Sequence, residues 1–188
     1  MLIQLVYAFD QLTGLFGIGS RLPWSHCKED MQHFVKVTKN TTVVMGRKTF
    51  ESIPVSLKSH NRRVVVISSN PNLTHPKTGE RPDAVYSSFD AMRLGEYNRS
   101  GVISVIGGIR VLMDALPHAA KIIRTRVRFK LDVKPDTANP DAIFIPDQLK
   151  TVASSMLADT TDIRGFEHPQ ILSLHIDEFY RETYDQYL

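Results

Sequence analysis

TTVVMGRKTFESI, residues 41–53, changes character once, at a glycine. Residues 41–45 are apolar or β-branched without alternation, the composition of a strand covered on both faces. Gly46 ends that run, and Arg47, Lys48 and Thr49 open a short stretch of helical composition. A strand that turns straight into a helix is the repeating unit of α/β proteins. Backbone N–H groups at such a turn, beside two cations, suit a phosphate. From this segment alone, a solvated basic turn is an equally good reading. A second copy of the pattern is VISVIGGIRVLMDALP, residues 102–117, where a strand ends in Gly107-Gly108 and the following helix stops before Pro117. Glycines there allow close approach of the backbone to a pyrophosphate, although tight turns also need glycine for steric reasons. No GxGxxG follows a strand. Two such turns in one chain instead suggest a dinucleotide lying across strand ends.

The rest of the chain fits one domain of this class. Its 188 residues can bury about 70% of the surface exposed by the unfolded chain. The 42% hydrophobic and 23% charged content is ordinary for a globular protein, and a net charge of +3 is too small to imply nucleic acid. One cysteine excludes an internal disulfide, and no Cys/His cluster points to zinc. The apolar runs are too short to span a membrane, and the start MLIQLVYAF reads as mature structure, so a reduced cytoplasm is expected. Periodicity predicts strands over 2–8, 41–45, 63–68, 102–106, 121–129 and 171–179, and helices over 27–39, 48–53, 89–97 and 109–116. Residues 71–83 read as a surface loop and 132–147 as an excursion, while 154–169 give no clear pattern. In IIRTRVRFKLDV, Arg124, Arg126, Arg128 and Lys130 alternate with Ile123, Thr125, Val127 and Phe129, a strand with one wet and one dry face. That leaves the Thr125 hydroxyl inward and needing a partner.

LPWSHCKEDMQHF, residues 22–34, holds a misplaced acid. In a helix starting near Cys27, the residues Cys27, Met31, Phe34 and Val35 share one face, and Asp30 falls within it rather than with the wet Glu29. An acid at a helix start gains a few tenths of a kcal/mol from the macrodipole. Burying an ionised carboxylate without a partner costs several kcal/mol. Asp30 therefore needs a base or a ligand that donates to it, and a flat heterocycle with adjacent ring N–H and amine groups fits its two oxygens.

Taken together and in this order, these segments resemble dihydrofolate reductase. The resemblance rests on LPW at 22–24 with Asp30 and Phe34, on VVMGRKTFESI, on VIGG at 105–108 with LPHA at 116–119, and on IRTRV around Thr125. It covers about the first 147 residues. It implies an α/β fold, a single domain over 1–188 whose central, mostly parallel twisted sheet ends in C-terminal antiparallel strands with flanking helices, and an adenosine-binding subregion at roughly 40–95. It implies NADPH-dependent reduction of dihydrofolate to tetrahydrofolate, by hydride transfer to pterin C6 and protonation at N5, with no metal. Asp30 and Thr125 would be the catalytic pair, Thr125 hydrogen-bonding Asp30 from behind. Val6, Tyr7, Ala8, Met31 and Ile106 would flank the pterin, while Phe34, Ile53 and Leu57 line the benzoyl group. Arg62, or less favourably Arg63, would bind the glutamate tail. Gly46, Arg47, Lys48, Thr49, Ser68 and Ser69 would hold the adenosine side of the cofactor. Gly107, Gly108, Ile109 and Arg110 would cradle its pyrophosphate. Ala8, Ile106 and the backbone of Ile18-Gly19 would meet the nicotinamide, with Phe16-Gly17 as the alternative register.

The chain departs from the family pattern in a short loop before LPW, in Leu112 where many members have tyrosine, in Phe50, and in PVSLKSHNRR where Leu-Pro-Gly-Arg is usual. A catalytically idle folate- or dinucleotide-binding relative, and a related pterin or pyrimidinone reductase, are the alternative readings. Expected partners are dihydrofolate and antifolates, with no nucleic acid or membrane, and the expected assembly is a monomer or homodimer.

Overall fold

The computed structural model of the protein describes residues 1–151 and 156–181, with the side chains of 156–158 outside that description. The chain runs β1 (Leu2–Asp10), β2 (Leu15–Ile18), α1 (Lys28–Thr38), β3 (Thr42–Gly46), α2 (Arg47–Ser52), β4 (Arg63–Ile67) and β5 (Ala84–Tyr86). It continues through α3 (Phe89–Gly95), β6 (Val102–Gly107), α4 (Ile109–Ala115), a 3-10 turn (Leu116–His118) and β7 (Lys121–Phe129). It ends with β8 (Ala142–Phe144), α5 (Asp147–Lys150), β9 (Met156–Ile163) and β10 (Ile171–Arg181).

The strands form an eight-stranded sheet in the order β5-β4-β3-β6-β1-β7-β10-β9. Pairing is parallel from β5 to β7, and β10 runs antiparallel to both β7 and β9. This is the single α/β domain expected, with its antiparallel strands at the C-terminal end. Unalternating apolar sequence gives the inner strands: Val43, Val44 and Met45 of β3 and Val65 and Val66 of β4 are fully buried. Along β1, successive side chains take opposite faces. Val6 joins Ile123 and Ile176 beneath Phe34 and Val37 of α1. Leu5, Tyr7 and Phe9 pack with Val111 and Leu112 of α4 on the other side.

Three expectations change. Cys27 and Lys39 cap α1 in extended conformations instead of extending it. The 132–147 excursion carries β8, which pairs with β2 in a separate two-stranded sheet. The alternation in β7 holds, with Ile123, Thr125, Val127 and Phe129 buried, but Arg124 and Arg126 are not simply solvated. Both donate to Asp177 of β10, at 2.8 and 2.7 Å, and Asp177 is only 2% exposed. Periodicity identified the face; the acid that neutralises it lies some fifty residues away, beyond any local pattern.

Candidate functional site

Asp30 occupies the first turn of α1 and is 9% exposed, as its place in the apolar stripe requires. Among the described residues its carboxylate has no hydrogen bond and no ion pair. Burial pushes its pKa up to about 6. The rest of the stripe is less covered than a core face: Cys27 is buried, but Met31, Phe34 and Val35 are half-buried. Across from them Ala8 and Ile106 are also half-buried, while their strand neighbours Leu5 and Val105 are fully buried. These half-covered side chains, between α1 and the sheet, are the candidate walls of a cleft that includes Asp30. Val6 and Tyr7 are buried beside it. The Tyr7 hydroxyl is taken by the Leu149 carbonyl at 2.7 Å on the far face, so Tyr7 can meet a ligand here only through its backbone.

Thr125 is buried and sits opposite Ala8 in register, on the face toward α1. The face is as expected, but the bond is not. Among the described residues neither the Thr125 hydroxyl nor the Asp30 carboxylate has a side-chain hydrogen bond, so the direct contact between them is not formed.

The far end of the cleft separates the two candidate arginines. Arg62 is 7% exposed, with its guanidinium 5.3 Å from the centre of the Phe34 ring. Its Nε and Nη2 are buried without a partner among the described residues, and burial lowers its pKa. Arg63 is instead bound at 3.0 Å to Glu96, a carboxylate only 1% exposed. Ile53 caps α2 beside this region, and Leu57 is 6% exposed in the same apolar cluster as Ile53 and Phe34.

The two glycine turns meet because their strands are neighbours. Met45 of β3 pairs with Gly107 of β6, and Gly46 pairs with Ile67 of β4, so three strand ends converge. A Cβ added to Gly107 would lie 3.4 Å from Thr49 Oγ1, and one on Gly108 would lie 3.5 Å from the same atom. Gly107 also has φ +143, a conformation that favours glycine. The Gly107-Gly108 peptide is cis. Lys48 and Arg110 are exposed at this edge, Ile109 is half-buried, and Ser68 and Ser69 follow the end of β4. Arg47 is exposed and paired with Glu51 at 3.1 Å.

The loop before LPW is a hairpin. Ile18 and Arg21 exchange backbone hydrogen bonds at 2.9 and 3.1 Å, and Gly19 N–H donates to the Asp141 carbonyl at 2.9 Å. Of the Ile18-Gly19 backbone, this leaves the Gly19 carbonyl for a ligand. Gly17 lies within β2, opposite Ile143. One polar group escaped the sequence reading: Trp24 is 5% exposed and its Nε1 is buried without a partner among the described residues. Trp24 shares a cluster with Cys27 and Ala8, next to Asp30's end of the cleft. Its signal was present, since it is the chain's one tryptophan and sits in the LPW motif.

Fold and site together define an α/β protein that presents a buried acid to a flat, donor-bearing heterocycle beside paired turns suited to a dinucleotide. The family model described as Dihydrofolate reductase matches residues 2–161. The chain is 32% identical over 183 residues to the dihydrofolate reductase type A10 of Escherichia coli, covering 96% of this chain and 93% of that one. It is 36% identical over 145 residues to the type 3 enzyme of Salmonella typhimurium, covering 77% and 82%. A solved dihydrofolate reductase from Enterococcus faecalis, complexed with NADP(H) and RAB-propyl, shares the fold with a TM-score of 0.68 over 96% of each chain at 22% identity. The chain belongs to the dihydrofolate reductase family and is an oxidoreductase of that family.

Proposed function

We propose that the chain reduces 7,8-dihydrofolate to 5,6,7,8-tetrahydrofolate with NADPH. The observation that carries this reading is Asp30, a desolvated acid with no partner among the described residues, facing a half-buried apolar cleft. A pterin offers its 2-amino group and adjacent ring nitrogen to the two carboxylate oxygens. Val6, Tyr7 and Ile106 flank the ring with backbone groups, and Ala8 and Met31 close its edges. Thr125 acts from the same face on the bound heterocycle instead of on Asp30 directly. Trp24 Nε1–H, unpartnered and buried, is a further donor for that ring. Phe34, Ile53 and Leu57 hold the benzoyl group, and Arg62 takes the glutamate carboxylate. Arg62 is preferred to Arg63 because its Nε and Nη2 have no partner among the described residues, and a fork of N–H groups matches a carboxylate.

The cofactor fits the paired turns. Thr49 and the two glycines leave a backbone cradle that a side chain would fill, which suits a pyrophosphate beside Ile109 and Arg110. Gly46, Arg47, Lys48, Ser68 and Ser69 suit an adenosine bearing a 2′-phosphate, within a subregion spanning roughly 40–95. Arg47 has to leave Glu51 for this, a small cost because exposed ion pairs are worth little. The Gly19 carbonyl would hold the nicotinamide carboxamide. NADPH supplies the hydride that goes to pterin C6. The protein orients the ring, excludes water and holds a proton at Asp30 for N5. Antifolates that imitate the pterin would compete for Asp30. The buried free thiol of Cys27 suits a reducing cytoplasm, and among the described residues no helix is long and apolar enough to cross a membrane.

The test is loss of NADPH absorbance on adding dihydrofolate, with NADH as control and Asp30→Asn as comparison. Turnover with NADPH that vanishes in the variant is expected. Tight NADPH binding without turnover in the unmodified protein would overturn the reading in favour of an idle relative.

A further inference from the structure

Two buried histidines outside this machinery are built into the chain in one way. THPKT at 74–78 and EHPQI at 167–171 each set a proline after the histidine. Proline carries no N–H, and the next two backbone N–H groups converge on the imidazole Nδ1. Lys77 and Thr78 donate to His75 at 3.2 and 3.0 Å, and Gln170 and Ile171 both donate to His168 at 3.0 Å. A nitrogen that accepts two hydrogen bonds carries no proton, which puts the ring hydrogen on Nε2. That hydrogen reaches out of the loop. His75 Nε2 donates to the Ile53 carbonyl at 2.8 Å, and His168 Nε2 to the His26 carbonyl at 3.2 Å, with Ser25 Oγ at 3.4 Å. The rings are 4% and 6% exposed, and the edge of Phe50 fixes His75 at 5.1 Å.

Both acceptors lie where the cleft's walls end. Ile53 caps the C-terminus of α2 and His26 precedes the N-cap of α1. Neither α1 nor α2 has a side-chain cap at its N-terminus, and α2 has six residues, too few to hold its shape unaided. We propose that His75 and His168 are positioning residues for the reduction. His75 fixes the wall that meets the benzoyl group, and His168 fixes the start of the helix that carries Asp30. This rests on the substrate assignment above.

Asparagine separates the clamp from the loop. Its Oδ1 takes the place of Nδ1 and keeps the two turn bonds, but nothing then reaches the distant carbonyl. His75→Asn should raise KM for dihydrofolate about fivefold, the worth of one ordinary hydrogen bond, and leave kcat and KM for NADPH within about twofold. With a dihydropterin lacking the benzoylglutamate tail, that penalty should vanish. His168→Asn should instead lower kcat about fivefold with either substrate. Folded variants with unchanged constants, or a His75→Asn penalty independent of the tail, would overturn the proposal. An unmodified protein without turnover would defeat the substrate assignment instead. Where a variant does not fold, nitrogen NMR of the unmodified protein decides. Nε2–H tautomers are expected for both rings, with His75 shifting on binding dihydrofolate but not the tail-free pterin. An Nδ1–H or charged ring overturns the proposal.

Discussion

Asp30 and Arg62 are held in states that cost the folded protein stability. Burial raises Asp30 to about 6, against about 3.9 for an unfolded aspartate. The native state therefore binds the proton more tightly, and stability falls as pH rises from about 4 through about 6. At pH 7.5, Asp30→Asn is expected to raise unfolding stability by on the order of 2–3 kcal/mol while abolishing turnover. Urea melts run beside NADPH oxidation will read both. The hydride step of the unmodified protein should slow above pH about 6, where the proton held for N5 is lost, and single-turnover rates across pH will show it. Arg62 behaves likewise, with Nε and Nη2 unpartnered among the described residues beside the Phe34 ring. Arg62→Leu should raise KM for dihydrofolate by roughly 10- to 100-fold, as loss of a charge-assisted hydrogen bond does. Its melting temperature should not fall, because a buried unpaired charge leaves with the side chain. Stability lost at both positions under substitution would mean that each has a protein partner.

At the scale of elements, what the sequence made legible depended on length and on how local each partner is. The inner strands β1, β3, β4 and β6 were readable as nearly unbroken apolar runs, β7 from its period of two, and the helices α1 to α4 from apolar spacing near 3.6. The short strands β2, β5 and β8 have three or four residues, fewer than a pattern needs. β2 also contains Gly17 and pairs with β8 more than a hundred residues on. The site was legible where chemistry and position conflicted, as at Asp30. It was obscure where distance decides, as at Thr125 and Asp30, between which no direct hydrogen bond forms among the described residues. The glycine turns were ambiguous one at a time; the pairing of β3 with β6 brings them together. Gly107→Ala tests that convergence. Its φ of +143 is one that a residue with a side chain adopts only under strain, although the 3.4 Å approach to Thr49 Oγ1 is itself an ordinary contact. NADPH affinity, followed by fluorescence titration, should fall about tenfold or more, since strain of this kind costs about 1–3 kcal/mol. Dihydrofolate binding to the free protein should change much less, because of its proposed contacts only Ile106 adjoins Gly107.

Across the whole molecule, the charge that weakens the cleft is offset on the opposite face of the sheet. Asp177 of β10 is 2% exposed and accepts hydrogen bonds from Arg124 and Arg126 of β7. Burial alone would raise its pKa, but the two guanidinium groups outweigh that and hold it below the ordinary value. A depressed carboxylate contributes stability above its unfolded pKa of about 3.9 and loses it as pH falls through the lower folded value. Asp30 does the reverse, so the two acids respond to pH with opposite signs. Asp177→Asn should destabilise the protein at pH 7 by about 2–4 kcal/mol, because it leaves two half-buried arginines facing each other without their shared acid. Its effect should narrow only below pH about 4, whereas the gain from Asp30→Asn should already be fading between about 6 and 4. Urea unfolding of both variants at pH 7, 5 and 4 separates them. The Asp177→Asn deficit should persist at pH 5, where much of the Asp30→Asn gain has gone. A shared pH dependence would mean that β7 and β10 are joined by packing alone, and that the arginine face of β7 is as dispensable as its alternation suggests.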